Sequence, residues 1–216
     1  MIGQSKNEYI LRHFGWIPLC IALTLLAVSQ AFAQSSGGGG KRPHSQCVIA
    51  IKTNAVALGL AIANAAVEIG WGEHCSVNLP FYYSAWDYFN TNKKFRMLGA
   101  QPEFRYWLRR GEGWFFGAHA GVTYWNEAHN DHYRYQDHDG KHPAYGGGLA
   151  IGHRWRFNRH WAIEASVGGG VYRLYYDKFY NEPNGQLIET RRKNFYGVDQ
   201  ANLSIVYTFG KKGGRK

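Results

Sequence analysis

The chain has 216 residues, enough for one domain. Aromatics reach 16% and glycine 27 residues, which is high for a soluble enzyme and suits the strands of a small barrel. The net charge is +10, but the basic residues are spread over turns, loop and tail, which argues against nucleic acid as a partner. Negative mean hydropathy does not exclude a membrane, because in a transmembrane barrel only alternate residues face lipid.

Lys6 and Arg12 precede an apolar run from Ile17 to Val28, and Ala31-Phe32-Ala33 follows. A basic flank, an apolar core too short for a span and an Ala-x-Ala site read as a secretory signal peptide over 1–33. Leu19 before Cys20 argues against a lipoprotein signal. Loss of Lys6, Glu8 and Arg12 lowers the net charge from +10 to +9. Residues 34–46 carry the Gly37–Gly40 run and Lys41-Arg42-Pro43 with nothing to bury, and read as a flexible linker. The exported chain keeps Cys47 and Cys75. A hairpin turning near Gly59–Ala63 would set Cys47 opposite about residue 74, so a disulfide is expected.

Eight strands are expected within a domain over 47–209, near 47–58, 64–72, 75–85, 95–108, 114–125, 144–156, 160–176 and 195–209. Period two is clearest from Trp161 to Tyr176. One face there is Trp161, Ile163, Ala165, Val167, Gly169 and Val171; the other is Ala162, Glu164, Ser166, Gly168, Gly170 and Tyr172. The pattern recurs where Phe104, Tyr106 and Leu108 oppose Glu103 and Arg105, and where Leu203, Ile205, Tyr207 and Phe209 oppose Asn202, Ser204 and Thr208. Short connections (Gly72–His74, Arg109–Gly113, Phe157–Arg159) alternate with long polar ones (Trp86–Lys94, Asn126–Pro143, Asp177–Asn194). Aromatics gather at two levels: Trp71, Trp107, Trp114, Trp155, Trp161 and Phe209 near the short turns, and Tyr83, Trp86, Tyr124, Trp125, Tyr145, Tyr175 and Tyr196 near the long loops. Together these features predict an eight-stranded antiparallel outer-membrane β-barrel, apolar side outward, with extracellular loops and both mature termini periplasmic. The basic tail over 210–216 would lie in the periplasm.

The inward face then collects Lys52, Glu68, Glu103, Arg105, Arg154 and Glu164. Eight strands leave a lumen that side chains just fill, so these charges should pair as a structural plug rather than line a pore. The Asn126–Pro143 stretch holds His129, Asp131, His132, Asp137, His138, Asp139 and His142. Imidazoles with carboxylates suit Zn²⁺ or related ions. The spacing matches no closed-site pattern, so a solvated loop is expected, with His129, His132, His138 and His142 as the only metal candidates. No catalytic residue and no cofactor are expected: Ser84, Ser166 and an inward His119 do not gather with an acid at a lipid-facing spot. Lys93, Lys94, Arg191, Arg192 and Lys193 would face the anionic region of lipopolysaccharide.

Several stretches carry a resemblance: Lys52-Thr53-Asn54, Gln101-Pro102-Glu103-Phe104-Arg105-Tyr106-Trp107, Gly146–Gly148 to Gly152, Trp161–Glu164, and Tyr176-Asp177-Lys178-Phe179. On these the chain resembles a family of uncharacterised outer-membrane β-barrel proteins of Gram-negative bacteria, often encoded near fimbria-assembly genes. Asn181-Glu182-Pro183-Asn184-Gly185 stands where many relatives carry a cysteine pair. The resemblance implies a barrel and a location, outer-membrane lipid and lipopolysaccharide as surroundings, and fimbrial or other envelope proteins as partners, but no activity. The expectation is a non-enzymatic structural, anchoring or surface-interaction protein of the envelope. The alternatives are a lipid-modifying enzyme of the lipid A deacylase or acyltransferase type and a soluble lipocalin-like barrel. Interior charges argue against the lipocalin, whose inner face would be apolar.

Overall fold

The computed structural model describes residues 48–87, 93–128, 132–182 and 184–209. The expected signal peptide, linker and basic tail, together with Cys47, His129 and Asp131, lie outside the described residues. The bridge between Cys47 and Cys75 is therefore not described.

The first strand, β1 (Val48–Asn54), ends where the Asn54 side chain accepts a hydrogen bond from the Val56 N–H and caps a short helix, α1 (Ala55–Gly59). There follow β2 (Ala63–Trp71), β3 (Cys75–Asp87), β4 (Lys94–Ala100), β5 (Glu103–Arg109) and β6 (Glu112–Ala128). The chain ends with β7 (Tyr133–Asp137), β8 (Ala144–Arg156), β9 (Trp161–Tyr180) and β10 (Leu187–Phe209). Every pairing is antiparallel. β4 and β5 are two halves of one wall, since both lie between β3 and β6. The break falls at Gln101-Pro102, where proline has no N–H to give the ladder. β7 and β8 likewise share the gap between β6 and β9. The result is a ring-like sheet of eight walls, closed where β1 pairs with β10 from Ile49 opposite Phe209 to Asn54 opposite Ser204.

The two faces separate by chemistry as period two requires. Outward stand Ile51, Phe104, Phe116, Leu149, Val167, Leu203 and Ile205, with Leu149 71% exposed and Val167 50%. Inward and buried stand Lys52, Glu68, Ser76, Asn78, Glu103, Arg105, His119, Arg154, Glu164 and Ser204. Ordinary soluble domains bury the first kind of residue and expose the second. At the short turns Gly72, Gly111 and Gly113 take positive φ, 65°, 62° and 78°, conformations that side chains disfavour.

Four expectations need correction. The first strand stops at Asn54 rather than 58, because Ala55–Gly59 coils into α1. That centres the hairpin earlier and sets Val48 opposite Gly70, three positions from the register the disulfide argument assumed. Trp107 does not belong to the outer aromatic level. It shares the parity of Glu103 and Arg105, points inward at 1% exposure and donates its Nε1–H to Ser76 Oγ at 2.8 Å. Parts of the stretches expected as long loops are strand: β9 and β10 pair as far as Phe179 and Leu187, and β7 lies between Asn126 and Pro143.

Candidate functional site

Six strand positions bring the six predicted interior charges to one level of the ring. Arg154 on β8 lies directly opposite Glu164 on β9, and Ala50, one inward position from Lys52, lies opposite Glu68. Glu164 is the hub. Its Oε1 accepts from Arg105 Nη1 at 2.7 Å and Lys52 Nζ at 3.1 Å, and its Oε2 from Arg154 Nε at 2.8 Å and from Arg154 Nη2. Glu68 Oε2 accepts from Arg154 Nη2 at 2.7 Å and Arg105 Nη1 at 3.2 Å, and pairs with Lys52. Glu103 Oε2 takes a two-pronged contact from Arg105, 2.8 Å to Nε and 2.6 Å to Nη2. The guanidinium of Arg105 also lies 4.3 Å above the Phe115 ring, and that of Arg154 lies 4.4 Å above Trp107.

Three cations and three carboxylates make this network neutral, and none of the six side chains is more than 6% exposed. Charges this far from water cost several kcal/mol each unless they are paired and hydrogen-bonded. Here every guanidinium and carboxylate faces opposite charge, so the network acts as a cross-brace between β1, β2, β5, β8 and β9. A cavity of about 20 Å³ adjoins it, lined by Lys52, Asn54, Asn78, Tyr82 and Asn202 among others. That is room for about one water molecule, not for a solute.

A second polar group lies nearer the long-loop end. β10 carries a bulge, since Val198 faces Gly169 while Gln200 faces Gly168. The extra residue, Asp199, meets His119 Nε2 through its Oδ2 at 2.7 Å. Ser166 Oγ instead accepts from Asn202 at 3.1 Å, and Ser84 Oγ donates to the Phe95 carbonyl at 3.1 Å. Among the described residues no hydrogen bond joins a serine hydroxyl to a histidine. The bulge gave no sign in the sequence, where Gly197-Val198-Asp199-Gln200 reads as uninterrupted alternation.

The third group occupies the step between β7 and β8. Asp139 and Gly140 both take positive φ, 52° and 63°, and turn the chain while the Lys141 N–H bonds to the His138 carbonyl at 3.0 Å. His138 Nδ1 meets Asp177 Oδ1 at 2.8 Å, and Asp177 also accepts from Thr190 Oγ1 at 2.7 Å and the Asp139 N–H at 3.1 Å. Burial opposes ionisation of Asp177, but these donors prevail and hold its carboxyl below the ordinary range. Neighbouring Asp137 shows the opposite balance: burial raises its pKa, and the backbone N–H groups of Trp125 and of Asp137 itself do not offset it. Of the four candidate histidines, His138 and His142 come together, their ring centroids 5.1 Å apart. His132 stands apart, its carbonyl accepting from the Asn181 N–H. The sequence does not mark Asp177 as a partner, because His138 lies 39 residues away in the chain. The step is therefore anchored to β9, contrary to the expectation of a solvated loop.

A family model described as "Protein of unknown function (DUF3575)" matches residues 20–209. Comparison with curated proteins gives no match.

Proposed function

The chain belongs to this family of unknown function, and from that premise we propose that it is an outer-membrane β-barrel whose plugged interior makes it a scaffold rather than a pore or an enzyme. The observation that carries the reading is the inversion of the two faces: exposed Ile, Leu, Val and Phe outside, a neutral ion network inside. In water, so much exposed apolar surface would drive association. In a bilayer the same surface is solvated by lipid, and the backbone is satisfied by a sheet without free edges. The dimensions agree. From Trp161 to Val171 the strand rises roughly 34 Å, which at a tilt of about 40° spans about 26 Å, close to the apolar band of such barrels. Trp71, Trp114, Trp155 and Trp161 are all exposed near the short turns, at the level where interfacial rings are favoured.

A signal peptide over 1–33, periplasmic short turns and extracellular strand extensions complete the proposal. Arg191, Arg192 and Lys193 are exposed on β10 beyond the apolar band, and with Lys93 and Lys94 they would meet the anionic sugar-phosphate layer of lipopolysaccharide. The role is structural, anchoring or surface interaction, with fimbrial or other envelope proteins as candidate partners. Two measurements test it on the purified full chain. It should need detergent to stay dispersed, and reconstituted into planar bilayers it should give no steady conductance. Dispersion without detergent would contradict the barrel, and ohmic conductance would contradict the plug.

A further inference from the structure

We propose that the outward face of β8, β9 and β10 holds one molecule of lipid A, the phosphorylated glycolipid of lipopolysaccharide, with an acyl chain in an apolar groove and a phosphate against Arg173 and Arg192. The inference rests on the membrane reading above and names the lipid that this wall selects. The groove measures about 730 Å³ and is lined by Phe116, Leu149, Ile151, Val167 and Val198, with Gly169 as its floor. Register creates it. Leu149 and Val198 flank Gly169 on the neighbouring strands, so a position without a side chain separates two that carry one. Among the described residues the most exposed large apolar side chains are Leu149, Tyr196 and Val198, at 71%, 70% and 67%. The rim of the groove therefore stands clear of the wall.

The charge at one end selects the occupant. After Val171 the next outward residue of β9 is Arg173, opposite Asn194, and then comes Tyr175, opposite Arg192. Period two thus sets both arginines on the face that carries the groove, and both are exposed. The Arg192 guanidinium lies 4.5 Å above the Tyr175 ring, which steadies it there. Among the described residues neither arginine meets a carboxylate. Asp177, the outward residue after Tyr175, is buried and already engaged by Thr190, His138 and the Asp139 N–H. From Gly169 to Arg173 the strand rises roughly 13 Å, so the groove lies in the loop-side half of the apolar band and the arginines at its edge. That order complements an anionic amphiphile. The planar fork of arginine matches phosphate, and two of them favour a multiply charged headgroup over a zwitterionic one. Tyr145, opposite Arg173 on β8, and Tyr196 are exposed at the same level and offer rings with polar tips. A second copy of the chain in the same membrane orientation would bring its own arginines to this level, where like charges repel.

Native mass spectrometry of the full chain, released from nonionic detergent with bisphosphorylated lipid A added, tests the site. About one lipid A retained per chain is expected, with retention weakened about tenfold or more in Arg173→Gln/Arg192→Gln. Dephosphorylated lipid A and phosphatidylethanolamine should be held about tenfold less tightly or worse. Gly169→Val puts a side chain on the floor of the groove and should weaken retention about fivefold. Its Cβ would lie 3.3 Å from the Gly197 carbonyl oxygen; the exposed arginines keep the test open if that variant fails to fold. Arg109→Gln/Arg110→Gln, exposed at the short turns, should retain lipid A within about threefold of the parent. No retained lipid A, undiminished retention in the Arg173/Arg192 variant or in folded Gly169→Val, equal retention of either comparison lipid, equal loss in the Arg109/Arg110 variant, or a dimer of the chain in place of the lipid complex would each overturn the site and leave the barrel standing. A chain that stays dispersed without detergent would overturn the barrel, and this site with it.

Discussion

Glu164 is in contact with Lys52, Arg105 and Arg154 at once, so its carboxylate is where the interior balance is most easily upset. Replacing it by Gln leaves three buried cations facing two carboxylates. The expected cost is about 3–5 kcal/mol, read as a lowered urea midpoint in lipid or detergent, because a broken buried network leaves charge uncompensated. Glu189→Gln, which removes a pair with the largely exposed Arg191, should cost less than about 1 kcal/mol. At the β7–β8 step two carboxylates respond to acid in opposite senses. Asp177 has its folded pKa lowered, so the stability it confers is present above the unfolded value and is lost as pH falls through the folded one. Asp137 has its folded pKa raised, so what it confers is present in acid and is lost as pH rises through the folded value. Asp177→Asn should therefore destabilise by about 1–3 kcal/mol at neutral pH and lose that effect in strong acid. Asp137→Asn should be neutral or stabilising at neutral pH. Unfolding curves for both variants at acid and neutral pH check the signs.

At the level of elements, glycines set how closely the walls approach. A Cβ at Gly170 on β9 would fall 2.5 Å from the Gly147 carbonyl oxygen and 2.7 Å from Asp199 Oδ2. Gly170→Ala should thus cost about 1–3 kcal/mol through overpacking and displace Asp199 from His119. Gly59, at the end of α1, has open space around it and no positive φ, and alanine there should be neutral or stabilising by up to about 1 kcal/mol. Thermal unfolding of the two variants separates these outcomes. The eight walls were legible in the sequence because apolar and polar residues alternate wherever one face meets the interior. Beyond that zone both faces of β10 are accessible, as at Arg191, Arg192 and Lys193, and alternation no longer marks a strand; backbone pairing with the neighbour carries it on. β7 and α1 were hidden because five residues each are too few to show a period.

For the whole molecule, the inner charge set was legible from parity alone, since Lys52, Glu68, Glu103, Arg105, Arg154 and Glu164 all fall on inward positions. The same parity applies to Trp107, but its position beside a turn suggested an interfacial ring. Arg154, stacked 4.4 Å above it, shows why an aromatic is inside: the ring covers a buried guanidinium. The Asp199 bulge and the partnership of His138 with Asp177 were not legible, because both arise from register between distant strands. The central claim is that the outward face contacts lipid while the inward face does not. Nitroxide labels placed singly from Trp161 to Val171, in a cysteine-free background reconstituted into vesicles, test it by collision with oxygen and with a water-soluble nickel chelate. The account predicts period-two alternation, with Ile163, Val167 and Val171 open to oxygen and closed to the chelate, and Glu164 and Ser166 shielded from oxygen. Chelate access to the outward positions, or loss of the alternation, would contradict it.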